Sequence, residues 1–263
     1  MTSLEYIDLS YKFFEGLFSF SLFSNLSKIK VIQLLSDNNN KLDIETENPN
    51  WDPLFQLQVL VLSNLNNPTG NIPKFLLGER ELRALVLSQS MLKCSFPSWL
   101  LKNNTRLQLL NLQSNSIMGP FCLPSNHSID LNWLDVFDNN FDRQLQENIG
   151  KFIPKSGYLN LSNNYYEGRL PSLIGGMSGL RILDLLYSNI SRELPMKVVA
   201  NCTLLSILRL SNNYFQGEIF SKHFNLSSLL GLELRNNHFI GSFPVVPLKY
   251  LLYIDFSNNH NNS

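Results

Sequence analysis

Residues 208–219 read LRLSNNYFQGEI. Leu208 and Leu210 flank one polar residue; Ser211, Asn212 and Asn213 follow, then an aromatic at Phe215 and a glycine at Gly217. The same phrase returns at 159–170 (LNLSNNYYEGRL) and at 232–243 (LELRNNHFIGSF). Two apolar residues spaced two apart point to one side of a strand. A strand this short buries nothing alone, so it needs identical neighbours above and below.

Those neighbours are present along nearly the whole chain. Aligned on the apolar residue that opens each pair, anchors fall at Ile7, Ile32, Leu60, Leu85, Leu110, Leu134, Leu159, Leu183, Leu208, Leu232 and Ile254. The successive gaps are 25, 28, 25, 25, 24, 25, 24, 25, 24 and 22 residues, one structural turn repeated eleven times. Such a period means stacked units that grow by addition, which overrides the usual division of 263 residues into globular domains. Parallel strands side by side need a crossover, and the rest of each unit supplies it. A leucine three before the anchor (Leu4, Leu57, Leu82, Leu107, Leu131, Leu180, Leu205, Leu229, Leu251) fills the same core.

The polar positions follow the same register. An asparagine five after the anchor recurs at Asn115, Asn139, Asn164, Asn213, Asn237 and Asn259. A buried turn leaves backbone groups without partners, and an amide both donates and accepts, so stacked asparagines satisfy neighbouring turns. Lys12, Asp37, Leu65, Ser90 and Ser188 depart from this. Glycine at Gly16, Gly70, Gly119, Gly168, Gly217 and Gly241 frees the backbone for the next bend, with Cys94, Arg143 and Arg192 standing in its place elsewhere. An apolar-Pro pair follows at Ile72-Pro73, Phe96-Pro97, Leu170-Pro171, Leu194-Pro195 and Phe243-Pro244, suited to an edge without a ladder partner. The long gap holds DNNNKLDIETENPNWDP, which reads as an enlarged polar loop, and Gly175-Gly176 as a flexible return loop.

Composition excludes some partners. A hydrophobic share of 44% is too high for disorder, and equal counts of basic and acidic residues leave no basic stripe for nucleic acid. Cys94, Cys122 and Cys202 are too few for a disulfide framework; a Cys94–Cys122 bridge is geometrically conceivable, and three small buried hydrophobes is the plainer reading. The four histidines (His127, His223, His238, His260) have no carboxylate or nucleophile at motif spacing, so neither a catalytic set nor a metal or cofactor site is expected. The start, MTSLEYIDLS, is already the interior of a repeat, with no signal peptide and no span long enough for a bilayer.

The pattern L-x-x-L-x-L-S-x-N-x-L-x-G-x-I-P resembles the plant-type leucine-rich repeat over nearly the whole chain. Segments such as NYFQGEIFSKHFNLSSLLGLELRNNHFIGSFP are similar to the extracellular region of plant receptor-like proteins. The resemblance implies an α/β fold: a right-handed horseshoe solenoid with parallel strands on the concave face and a mostly irregular convex side. Residues 1–263 are then one leucine-rich-repeat domain with both ends uncapped, so the isolated chain is expected to be poorly soluble or frayed at its ends. Receptor-like proteins sit in the plasma membrane through a single helix, here absent, and signal through partner receptor kinases in defence or development. A peptide, glycan or protein is the implied ligand. Polygalacturonase-inhibiting proteins share the repeat, which keeps a secreted inhibitor as the alternative.

Specificity must lie where the repeat is broken. Residues one before, one after and three after each anchor line the concave face. There Trp133, Asp135, Phe137, Tyr158, Asp184, Leu186, Arg209, Glu233 and Arg235, with Tyr187 four after its anchor, form the candidate ligand band, mixing aromatics and arginine as recognition surfaces do. N-x-S/T sequons at Asn25, Asn103, Asn126, Asn160, Asn189, Asn201, Asn225 and Asn261 suit a glycosylated extracellular surface. A glycan on Asn160 would obstruct the strand face.

Overall fold

The computed structural model describes residues 3–11, 14–36, 42–47, 51–124, 128–220, 227–241 and 250–260. Lys12, Asp37, Asn126, His127, His223, Asn225, Pro244 and Asn261 lie outside the described residues. Among those described, eleven strands form one parallel sheet in strict chain order, from Tyr6–Asp8 through Trp133–Asp135 and Ile207–Arg209 to Tyr253–Asp255. The anchors are the register: Ile7 pairs with Ile32, Ile32 with Leu60, and so on to Leu232 with Ile254. Behind the sheet, every anchor from Ile32 to Leu232 and nearly every apolar residue two later is almost fully buried.

The asparagines stitch these coils together with a fixed direction. Asn139 donates from Nδ2 to the carbonyls of Val136 and Phe137 in its own turn and of Leu112 in the coil before, while its Oδ1 accepts from the Ile117 N–H of that earlier coil. Asn115, Asn164, Asn213, Asn237 and Asn259 repeat the arrangement. Where serine replaces it, Ser188 Oγ still donates to Leu161 and Leu186 but brings no amide oxygen to the coil before. Two residues beyond the asparagine, an aromatic spine fills the interior: Phe141 stacks on Tyr166, and Phe215 on Phe239.

The return side is more regular than its sequence suggests. Among the described residues, three further parallel sheets flank the turns: Gly16–Ser19 with Leu42–Glu45; Met118–Pro120, Asn140–Gln144 and Tyr165–Glu167; and Ser191–Glu193, Tyr214–Glu218 and His238–Ile240. The second and third sheets are separate, so this tier breaks between the Leu159 and Leu183 coils. Pro73, Pro97, Pro171 and Pro195 each cap a short helical segment, at Lys74–Gly78, Ser98–Asn103, Ser172–Gly176 and Met196–Asn201. Proline suits that place because its fixed φ starts a helical turn and its missing N–H has no partner there.

Two expectations need correction, and one alternative falls. Gly175 is no flexible loop: it is buried in a helical turn, where an added Cβ would meet the Lys197 carbonyl oxygen at 2.5 Å. At Gly150 the fit is tighter still, since an added Cβ would lie 1.9 Å from the Leu173 carbonyl oxygen. The polar insertion contributes the strand Leu42–Glu45, and Trp51 beside it packs against Phe20, Phe55 and Phe75. The bridge conceived for Cys94 and Cys122 is not formed; both thiols are free, as is that of Cys202.

Candidate functional site

The candidate band divides into three neighbouring groups on the strand face. The first spans the Leu134 and Leu159 coils. Trp133 and Tyr158 are register partners, and their rings stack with centroids 3.7 Å apart and planes 7° from parallel. Strands about 4.8 Å apart bring flat side chains at the same position into this contact. Beneath them runs a hydrogen-bond chain: Asn160 Nδ2 donates to Tyr158 Oη, which donates to Asp135 Oδ2 at 3.2 Å. Asp135 Oδ1 also accepts the Phe137 N–H.

Asp135 is therefore not the exposed acid that its position suggests, being only 4% accessible. Burial pushes its carboxyl upward, against the pull of Phe137 N–H, Tyr158 and Asn160. Burial and the Asp135 charge likewise push the Tyr158 hydroxyl up to about 12. The carboxylate orients the aromatic platform from below and offers no direct surface. Asn160, 8% accessible, accepts from the Ser162 N–H and hydroxyl and donates to Tyr158, so its amide is both enclosed and engaged. A glycan at this sequon would have to displace the contact with Tyr158.

The second group is a hollow of about 430 Å³ lined by Phe137, Asn160, Ser162, Asn163, Asp184, Leu186 and Tyr187. Phe137 and Leu186 occupy places where many coils carry serine, and they give the hollow its apolar walls. Tyr187 stands at its rim, 60% exposed. Its φ is +51°, a left-handed backbone that asparagine or aspartate holds easily and tyrosine does not.

The third group is a clamp. Arg209 Nε lies 2.9 Å from Glu233 Oε1, and its Nη1 lies 3.3 Å from Asp184 Oδ2, so one guanidinium ties three coils. Asp184 is 5% accessible, and burial raises its carboxyl although the Leu186 N–H and Arg209 pull it down. Its role, like that of Asp135, is to hold a neighbour. Arg235 stands apart: exposed, three after its anchor, its charge helping to lower the Asp255 carboxyl behind the Ser257 hydrogen bonds.

Sequence reasoning missed the flank of the turns. Tyr165 and Tyr214, six after their anchors, are 59% and 55% exposed, and with Tyr187 they border a second hollow rich in asparagine. Their signal in the sequence was tyrosine where other coils carry serine or asparagine, Ser116, Asn140 and Asn189. Among the described residues no group of three or more His, Cys, Asp or Glu side chains could hold a metal ion, and no helix is long and apolar enough to cross a membrane.

Comparison with known proteins agrees with this architecture. No protein-family model matches the chain. It is 40% identical to Receptor-like protein 15 of Arabidopsis thaliana over 168 residues, which covers 64% of this chain and 17% of that protein. The chain thus spans about a sixth of the length of such curated relatives. Among solved structures, the leucine-rich-repeat ectodomain of the Arabidopsis thaliana receptor kinase GASSHO1/SCHENGEN3, in complex with CASPARIAN STRIP INTEGRITY FACTOR 2, superposes with a TM-score of 0.71 at 26% identity, covering 98% of this chain and 33% of that one. A TDR receptor superposes at 0.78 and 20% identity, over 99% of this chain and 48% of that one, a likeness of fold alone.

Proposed function

From a chain that is a leucine-rich-repeat solenoid homologous to the plant receptor-like proteins, we propose that its strand face is the ligand-recognition surface of a cell-surface receptor. The surface faces the extracellular side of the plasma membrane, and the ligand is a peptide or a short protein segment. Signalling proceeds through a partner receptor kinase. The observation that carries this reading is the clustering of the departures from the repeat. The Trp133–Tyr158 platform, the hollow walled by Phe137 and Leu186, and the Arg209 clamp occupy consecutive coils on one face. Flat aromatics, apolar walls and a held guanidinium side by side are the anchors that recognition surfaces use. Comparison with receptor-like proteins does not favour the secreted-inhibitor alternative.

Passing fractionated plant extracellular peptides over the immobilised chain, with mass spectrometry of what is retained, tests the proposal. Trp133→Ala and Leu186→Ala should weaken retention about tenfold or more, the loss expected on truncating a central anchor. Retention of the same peptides by both variants at unchanged strength would refute it.

A further inference from the structure

A hollow of about 430 Å³ lies on the flank of the turns. It is bordered by Tyr165, Tyr187 and Tyr214 and floored by asparagines, and no charged side chain lines it. Asn189, in the sequon Asn189-Ile190-Ser191, is one of the lining residues. It is exposed, and its side-chain amide makes no hydrogen bond among the described residues.

An interrupted ladder gives the hollow its polarity. Four residues after the anchor, Asn258 donates to Asn236 Oδ1 at 2.7 Å and Asn236 to Asn212 Oδ1 at 2.6 Å. Further along, Asn163 donates to Asp138 Oδ1. Tyr187 holds the intervening rung and has no amide to pass on. The Asn212 Nδ2 donors and the Asn163 Oδ1 acceptor are therefore left without protein partners among the described residues, on either side of Asn189.

We propose that Asn189 carries an N-linked glycan whose first sugars lie in this hollow, between the tyrosine rings and across the gap in the amide ladder. In the transfer, Asn189 Nδ2 bonds to the anomeric carbon of a lipid-linked oligosaccharide diphosphate and loses one proton. The anomeric C–O bond breaks, and its electron pair leaves with the lipid diphosphate. A neutral sugar suits the place because its C–H faces pack on aromatic rings while its hydroxyls and N-acetyl group both donate and accept. The other described sequons lack this seat: Asn160 is enclosed, Asn103 donates to the Leu77 carbonyl, and Asn25 and Asn201 are exposed without lining this hollow.

The inference rests on the extracellular reading above, since only a secreted chain meets the transfer machinery. The chain is produced behind a heterologous leader in plant cells, and site occupancy is read by glycopeptide mass spectrometry. Release of each glycan from the native protein by an endoglycosidase is then timed. Asn189 should be occupied, and its glycan should be released roughly three- to tenfold more slowly than that of Asn201, as two ring contacts would cause. Tyr165→Ala with Tyr214→Ala should bring the two rates together while occupancy stays. Glycans on Asn25 or Asn201 with Asn189 bare would sink the proposal and leave the extracellular reading intact. So would an occupied Asn189 whose glycan is released as fast as that of Asn201. A complete absence of glycan from every sequon would sink it as well.

Discussion

At the scale of single residues, two buried polar groups stand at odds with their surroundings. Glu79 is fully enclosed; one carboxyl oxygen accepts the Leu57 N–H at 2.6 Å, and the other has no partner. In the next coil Asn104 does the same task, accepting the Leu82 N–H while its amide donates to the Leu100 carbonyl. Burial pushes the Glu79 carboxyl up to about 7. The folded state then holds a proton that the unfolded chain releases near the ordinary carboxylate value. The contribution to stability is complete below about pH 4.5 and is lost as pH rises through about 7. Glu79→Gln should flatten that decline and raise stability at pH 8 by about 1–3 kcal/mol, read from denaturant melts across pH. Tyr166 is the second case: its hydroxyl is buried without a partner in a spine where Phe141, Phe215 and Phe239 serve. Tyr166→Phe should therefore stabilise the fold by about 1 kcal/mol, measurable as a higher denaturation midpoint.

At the scale of elements, return segments pack through glycine. Gly150 and Gly175 each let one helical turn approach the backbone of the next coil, whereas Gly176 faces open space. Gly150→Ala and Gly175→Ala should each cost about 1–3 kcal/mol, because the obstacle is backbone that cannot swing aside. Gly176→Ala, in a turn with no positive φ, should be neutral or gain up to about 1 kcal/mol by stiffening the unfolded chain. Thermal melts of the three variants give the comparison directly. These contacts also mark where the sequence stops being readable. The strands were legible because each anchor repeats a local rule, and the asparagine turn because its partners lie at fixed offsets. Gly175 beside Gly176 looks like two equivalent breakers; only the neighbouring coil's backbone separates them. In the candidate site, Trp133 and Tyr158 could be read from position alone. The burial of Asp135 and Asp184 could not, since it depends on Tyr158 and Arg209 lying over them from coils about 25 residues away.

At the scale of the whole molecule, each coil touches chiefly its two neighbours, so stability is a sum of units and of contacts between them. Leu159→Ala removes a fully buried anchor and should cost about 2–5 kcal/mol. Hydrogen exchange should then show lost protection centred on the strands Trp133–Asp135, Tyr158–Asn160 and Ile182–Asp184, fading toward both ends. A uniform loss across all eleven strands would mean that the solenoid melts as one block.

The direction of the asparagine stitching carries a further consequence, for how such a chain changes over generations. Each amide oxygen completes the turn before it and asks nothing specific of the turn after. Among coils that carry this asparagine, a coding segment for one complete coil can therefore be duplicated or excised, and the junction still presents an asparagine to the turn it must complete. A cut within a coil strands a buried N–H. Inheritance by whole units, with a new binding face assembled from rearranged coils, is what this hydrogen-bond grammar permits.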